Sequence, residues 1–173
     1  MSAPIWKPNT TVAAVVEHQG LFLLVEEETE AGLRFNQPAG HLDADESLLL
    51  ACVRETREET AYLVKPTALV GIYQWSPPTK PGLTYLRFAY AAEVKVEGNP
   101  MLGVTVNNVA LAAIQSDGMT MARLDKGIVR AVWLSYEEVL ACRYRHRSPL
   151  VLQCIEDYRA GRRFPLDLIR HYD

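Results

Sequence analysis

Three glutamates, Glu55, Glu58 and Glu59, stand at i, i+3 and i+4 in the stretch VRETREETAY, beside Arg54 and Arg57. On a helix this spacing projects all three carboxylates from one side. Two chemistries fit. The plain one is a solvated acidic face opposite the apolar stripe of the helix, since each like-charge pair costs an isolated helix only about 0.2–0.5 kcal/mol and the arginines act as counterions. The other is a divalent-cation site, because hard oxygen ligands in threes suit Mg²⁺, which keeps several waters and shares its remaining positions with substrate phosphates. On these three residues alone the solvated face is the simpler reading.

The elements that must position these groups follow from periodicity. Over residues 45–62, Leu48, Leu49, Cys52, Val53 and Thr56 recur at helical spacing and predict a helix with a buried stripe that includes Cys52. Asp43 or Asp45 is expected to cap it, Asp43 and Glu46 having capping-box spacing, and Pro66 marks its end. Upstream, residues 10–16 and 21–26 are rich in Val, Leu and Thr and are separated by His18, Gln19 and Gly20, a β-hairpin pattern. The acidic residues 26–30 read as a solvated loop, and Phe35, Pro38 and Gly40 as a short extended piece leading into a turn. Further strands are predicted at 69–75, 83–94 and 128–134. Ser135 with Glu138 predicts a capping box opening a helix to about Cys142, and Ser148 with Pro149 opens a third helix that stops near Gly161. Residues 95–124, which hold Gly98, Asn99, Pro100, Asn107, Asn108 and Gly118, show no clear period and read as an insertion of unassigned structure.

The wider pattern reverses the judgement on the glutamates. From Gly40 to Tyr62 the chain reads GHLDADESLLLACVRETREETAY, which resembles the Nudix box G-x5-E-x7-R-E-U-x-E-E-x-G-U, with Gly40, Glu46, Arg54, Glu55, Glu58 and Glu59 in register. At ordinary residue frequencies six such matches arise by chance with a probability of roughly 10⁻⁷ to 10⁻⁸ per starting point, so coincidence is a poor explanation. Thr56 stands where the box has an aliphatic residue, and Ala61 where it has a glycine. A glycine there usually supplies a left-handed C-cap, so Ala61 predicts a different helix exit. The strings FNQPAGHL, QW at Gln74–Trp75, LRF at Leu86–Phe88, and RSPLV followed by Gly161, Arg163, Pro165 and Leu166 are similar to the NudJ phosphatase subgroup of the Nudix superfamily, over most of the chain outside residues 95–124.

The resemblance implies an α/β/α sandwich with a mixed central sheet and a loop–helix–loop catalytic motif, in a single Nudix domain over residues 1–173. It implies a metal-dependent acid anhydride hydrolase: a NudJ-like phosphatase acting on nucleoside tri- or diphosphates or on hydroxymethylpyrimidine diphosphate, a thiamine precursor. An ADP-ribose or dinucleoside polyphosphate pyrophosphohydrolase is the alternative. A non-catalytic nucleotide-sensing module is the reading of another class, and the intact Arg54-Glu55 and Glu58-Glu59 argue against it. By the same resemblance the Gly40 carbonyl, Glu55, Glu58 and Glu59 hold Mg²⁺, with Mn²⁺ as a substitute. Glu55 or Glu59 takes the proton from an attacking water, and Arg54 orients a neighbouring glutamate through its fork geometry. Glu46 has two readings, a dipole and capping partner at the helix start or a carboxylate supporting the catalytic groups, and the structural one is preferred.

Outside the box, Arg87 lies in an apolar strand, where it either snorkels to the surface or faces inward to bind phosphate; the subgroup similarity favours phosphate. Tyr73 and Trp75 stack a base or pack the core, with the two fates evenly weighted for Trp75. His41 reads as a turn residue. The RYRHR cluster at 143–147 draws anions or, more commonly, forms a solvated helix end, and Asp125 is a candidate further metal-facing carboxylate.

Composition sets the remaining bounds. The 173 residues suit one domain and 49% apolar content supports a core; 18 basic and 21 acidic residues leave a net charge of −3, against the broad basic footprint of a nucleic-acid binder. A phosphorylated small molecule is the expected partner, not a nucleic-acid polymer. Cys52, Cys142 and Cys154 are odd in number without C-x-x-C spacing, which predicts reduced thiols rather than disulfides or zinc. MSAPIWKPNT lacks a signal-peptide pattern and no run approaches the roughly 20 apolar residues of a membrane span, so a cytoplasmic protein is expected. Oligomeric state is not legible.

Overall fold

Strand β1 (Asn9–His18) carries apolar residues on both faces and divides the molecule into layers: Val12, Ala14 and Val16 turn to one side, Ala13 and Val15 to the other. A computed structural model describes residues 5–95 and 124–172. In it β2 (Leu21–Thr29), β3 (Gly32–Asn36), β4 (Ala39–His41), β5 (Val64–Trp75), β6 (Tyr85–Val94) and β7 (Ile128–Ser135) join β1 in a seven-stranded mixed sheet. The order is β3-β2-β1-β6-β5, with β4 also on β1 and β7 on β2; β1 and β6 run parallel and the other pairs antiparallel. Helix α1 (Leu48–Thr60) covers the side of Val12, Ala14, Leu23 and Tyr90. Helices α2 (Tyr136–Ala141) and α3 (Leu150–Arg159) cover the side of Ala13, Val15, Leu24 and Val70. This is the expected α/β/α sandwich.

The sheet opens where the site lies. The β1–β2 hairpin turns through Gln19 and Gly20, both at positive φ (51° and 81°), the conformation of a tight hairpin turn. The two strands pair only at Glu17–Phe22 and His18–Leu21 before they part. Strand β3 then takes up the edge of β2, and β4 takes up the edge of β1 opposite Thr11, Val12 and Ala13. Gln37 and Pro38 connect β3 to β4 across the opening, anchored by the Ala14 N–H donating to the Pro38 carbonyl at 2.9 Å.

Several sequence expectations need correction. Residues 26–30 are not a solvated loop, because β2 runs to Thr29 and Glu26 is buried between Arg130 and Arg145. The α1 cap is neither Asp43 nor Asp45: Ser47 Oγ accepts from the Leu50 N–H at 3.2 Å. Ala61, despite its side chain, adopts the left-handed C-cap (φ 62°), its N–H donating to the Arg57 carbonyl at 2.8 Å. The helix thus ends before Pro66, which lies inside β5 on the sheet edge at a register shift, where a missing N–H is tolerated.

The Ser135–Glu138 capping box is present as expected; α3 starts one residue later than expected, with Pro149 rather than Ser148 at the cap, while the Ser148 hydroxyl accepts from the Leu150 N–H. Cys52 is in the core, and Cys52, Cys142 and Cys154 are free thiols. Among the described residues no helix is long and apolar enough to cross a membrane. Nearly all of the segment read as an insertion, including Gly98, Asn99, Pro100, Asn107, Asn108 and Gly118, lies outside the described residues.

Candidate active site

Arg54 is the hub of the site. Its Nε and Nη2 form a paired bridge to Glu46 at 2.8 Å each, and Nη1 reaches Glu55 at 2.8 Å and Glu58 at 3.1 Å. Nη2 also donates to the His41 carbonyl at 3.0 Å. One planar guanidinium therefore ties the β4–α1 connection to two helix carboxylates, which an ammonium group lacks the geometry to do. The hydrogen bonds to Glu46 lead the effects that raise the Arg54 pKa, so it stays charged, and the same bridge holds the Glu46 carboxyl below its usual range. Glu46 lies ahead of Ser47, the cap of α1, so it does not take the capping role preferred from the sequence; it accepts the Asp43 N–H at 3.4 Å and its two short bonds run to Arg54.

The glutamates do not form a solvated face opposite the apolar stripe. At about 100° per residue, Glu59 comes seven residues after Cys52 and falls roughly 20° from it, on the buried side. Glu55 and Glu59 are accordingly buried, while the Glu58 side chain is 43% exposed. Glu59 accepts the Ala39 N–H of β4 at 2.8 Å. Burial, and then repulsion from Glu55, Glu27 and Asp125, push the Glu59 pKa up to about 8 against that single hydrogen bond. Burial also raises Glu55, with Glu58 and Asp125 adding to the effect and Arg54 opposing it. Asp125, the candidate extra carboxylate, is tied to α1 by its N–H donating to the Glu58 carbonyl at 3.0 Å. Gly40 lies against the Glu55 carboxylate so closely that a Cβ would overlap it, so a side chain at residue 40 would displace that carboxylate from its present position.

Whether a metal fits is decided by donor chemistry and charge. Among the described residues no three potential ligands already close into a coordination shell: Arg54 stands between Glu55 and Glu58, and β4 holds Glu59. The donors are nevertheless all hard oxygens, and the crowding that hinders ionisation of Glu55 and Glu59 is relieved by a divalent cation. The residue set fits Mg²⁺ or Mn²⁺ in kind.

Arg87 faces inward rather than snorkelling. It is 8% exposed, its Nη atoms reach Asn36 Oδ1 at 3.5 Å and Gln37 Oε1 at 3.4 Å, and it lies against the Cys154 thiol of α3. Trp75 is half-buried and stacks on Tyr85 with centroids 5.9 Å apart and planes at 18°. Tyr73 took the core fate: its ring lies over Gly71 and its hydroxyl donates to Asp157 at 2.8 Å. His41 tilts against Tyr85. The RYRHR cluster is not simply a solvated helix end, since Arg145 pairs with Glu26 and stacks over Phe35, and Arg147 lies 3.7 Å from Glu27. Sequence reading passed over Glu27, Thr11, Asn36 and Gln37, which surround Arg87. LFLLVEEET carried no signal for Glu27, since five consecutive apolar residues are followed by three glutamates with no alternation.

With this geometry in place, comparison with known proteins is decisive. The NUDIX domain family matches residues 7–153. The chain belongs to the Nudix hydrolases. It is 36% identical to Phosphatase NudJ of Escherichia coli strain K12 over 169 residues, covering 98% of this chain and 95% of that protein. A NUDIX hydrolase structure from Nitrosomonas europaea superposes with a TM-score of 0.78 at 44% identity, covering 96% of this chain and 98% of that one. An ADP-ribose pyrophosphatase from Streptococcus suis 89-1591 shares the fold at 16% identity, with a TM-score of 0.55 and coverage of 96% and 97%. As a Nudix hydrolase this chain is an enzyme acting on phosphoanhydride bonds, and not a sensing module. Its Nudix box is the β4–α1 segment just described.

Proposed function

We propose that this Nudix hydrolase is a Mg²⁺-dependent phosphatase of the NudJ kind, with Mn²⁺ able to substitute, acting in the cytoplasm as a single domain over residues 1–173. Its substrates are nucleoside tri- and diphosphates or a pyrimidine diphosphate such as hydroxymethylpyrimidine diphosphate, and it releases inorganic phosphate. The observation that carries the reading is the buried pair Glu55 and Glu59 with the Glu27 and Asp125 carboxylates close to Glu59, whose ionisation is unfavourable until a cation joins them. Identity of 36% to Phosphatase NudJ across 98% of the chain supports the choice of substrate class.

Glu55, Glu58, Glu59 and the Gly40 carbonyl would hold the ion, which supplies charge neutralisation on the diphosphate and acidifies water. Glu55 or Glu59 receives the proton as the water oxygen bonds to phosphorus and the bridging P–O bond breaks. Arg54 keeps Glu55 and Glu58 in position from its seat on Glu46. Arg87 and Trp75 take up the substrate.

Glu58→Gln and Glu59→Gln should each leave the fold intact and lower Mg²⁺-dependent turnover on the order of 100-fold. Near-native rates for both in a phosphate-release assay would overturn the site assignment. A panel of phosphorylated metabolites, read for free phosphate and for organic products, tests the substrate. Two organic monophosphates in place of free phosphate would instead favour an ADP-ribose or dinucleoside polyphosphate pyrophosphohydrolase.

A further inference from the structure

Arg87 shares a sheet face with Ala89 and Ala91, the face that α3 covers, and it pairs in register with Tyr73 of β5. Tyr73 leans back along its own strand over Gly71. A Cβ at residue 71 would meet the Tyr73 Oη at 2.7 Å, so a side chain there would displace the hydroxyl. That hydroxyl donates to Oδ2 of the buried Asp157 at 2.8 Å. One turn back on α3, the fully buried Cys154 thiol lies between the Tyr73 hydroxyl and Arg87, in hydrogen-bonding contact with both. Gln37 ties Arg87 to the same helix a second time: its Nε2 donates to the Val151 carbonyl at 2.6 Å, and its Oε1 accepts from Arg87 at 3.4 Å.

The available protons fix the sense of this chain. Tyr73 has one hydroxyl proton and gives it to Asp157, so toward Cys154 it can only accept. The thiol therefore donates to Tyr73 and accepts from Arg87, which has donors alone. Burial pushes the Cys154 thiol up to about 11 and raises the Tyr73 hydroxyl as well, so both links stay neutral. A guanidinium and a carboxylate at the two ends polarise the links between them in one direction. Asp157 is itself anchored, by Gln153 at 3.2 Å and Arg162 at 3.3 Å. The other carboxylates that act on Arg87 are engaged elsewhere: Glu27 Oε1 faces Arg147 Nε at 3.7 Å, and Glu59 holds the Ala39 N–H. The contacts from Arg87 to Asn36 and Gln37, at 3.5 and 3.4 Å, are too long to aim a guanidinium by themselves.

We propose that Tyr73 and Cys154 are positioning residues for Arg87: the chain that starts at Asp157 on α3 holds the guanidinium in the orientation in which it meets substrate. The assignment rests on the reading that Arg87 takes up the substrate. It gives α3 a part in the reaction, from the side of the sheet opposite the α1 carboxylates.

Two readouts on the full chain test it. The first is the Arg87 Nε–H signal in a proton–nitrogen NMR spectrum, assigned by its loss in Arg87→Gln, or in Arg87→Lys if the former does not fold. The signal should shift in Tyr73→Phe, which removes one oxygen and keeps the ring, and in Cys154→Ala. In Cys154→Ser, whose hydroxyl can both accept and donate, it should stay near the parent position. The second readout is steady-state phosphate release from ADP with Mg²⁺. Tyr73→Phe should raise KM about 3- to 10-fold with little change in kcat, and should add nothing in the Arg87 variant. An Arg87 signal that stays in place in Tyr73→Phe overturns the chain. A signal that moves, with KM raised by the Arg87 variant and not by Tyr73→Phe, overturns the positioning role. A signal that moves, with KM unchanged in both, would refute uptake of substrate by Arg87 and leave the chain standing.

Discussion

Ala61 is held in a backbone conformation that costs an L-residue roughly 1–2 kcal/mol relative to glycine. The reason lies on either side of it. Tyr62 and Val64 are buried against the α1 face of the sheet, so the chain must turn sharply at residue 61 whatever stands there. Ala61→Gly should therefore stabilise the protein by about 0.5–1 kcal/mol after glycine's greater unfolded-state entropy is subtracted, raising Tm by about 2 °C. A thermal melt in which Ala61→Gly is less stable than the parent would contradict this account. Sequence reading singled out Ala61 correctly but misjudged the exit, because what enforces it is the burial of the following residues.

At the scale of elements, α1 works because it is fastened to β4 and to the connection between them. Glu59 holds Ala39, Gly40 admits the Glu55 carboxylate, and Arg54 joins His41 and Glu46 to Glu55 and Glu58. Arg54→Lys keeps the charge and loses the fork. It should lower kcat by about 10- to 100-fold with little change in KM, since the guanidinium is engaged by Glu46, Glu55, Glu58 and the His41 carbonyl and positions those groups. Steady-state kinetics showing a KM effect alone would refute that role. The helices, hairpin and capping box were legible because their signals are local. The extension of β2 through Glu26 was not, since its counterions Arg130 and Arg145 lie 104 and 119 residues further along the chain. Burial works against ionisation of Glu26, and those two guanidiniums outweigh it and hold the carboxyl below its usual range.

For the whole molecule, the carboxylate crowd links stability to pH and to metal. The folded-state pKa of Glu59 is raised from 4.5 to about 8 by burial and neighbouring negative charge. Below pH 4.5 both states carry the proton and nothing is lost. Between 4.5 and 8 the folded state retains a proton that the unfolded state releases, so stability falls as pH rises, and above 8 the full penalty is present. Glu55 is shifted in the same direction. In chelator, Tm should decline from pH 5 to pH 8 through this contribution, and Glu59→Gln should flatten the decline. Mg²⁺ should raise Tm most at the alkaline end, where the carboxylates are ionised and the folded state alone binds the ion. An equal pH slope in Glu59→Gln, or no Mg²⁺ effect at pH 8, would count against the metal site.

The sequence by itself determined the box: spacing along one helix is a local property, and six residues in register at Gly40, Glu46, Arg54, Glu55, Glu58 and Glu59 carried the family with them. It also specified the layers, because alternation in strands and helical periodicity are set by backbone geometry. Only the tertiary structure decided which face of α1 is buried, that Glu46 clamps Arg54, and that Glu27, Thr11 and Arg87 meet. Those relations depend on where β1 and β2 separate and on pairing between distant segments, and no local pattern along the chain encodes a distance through space.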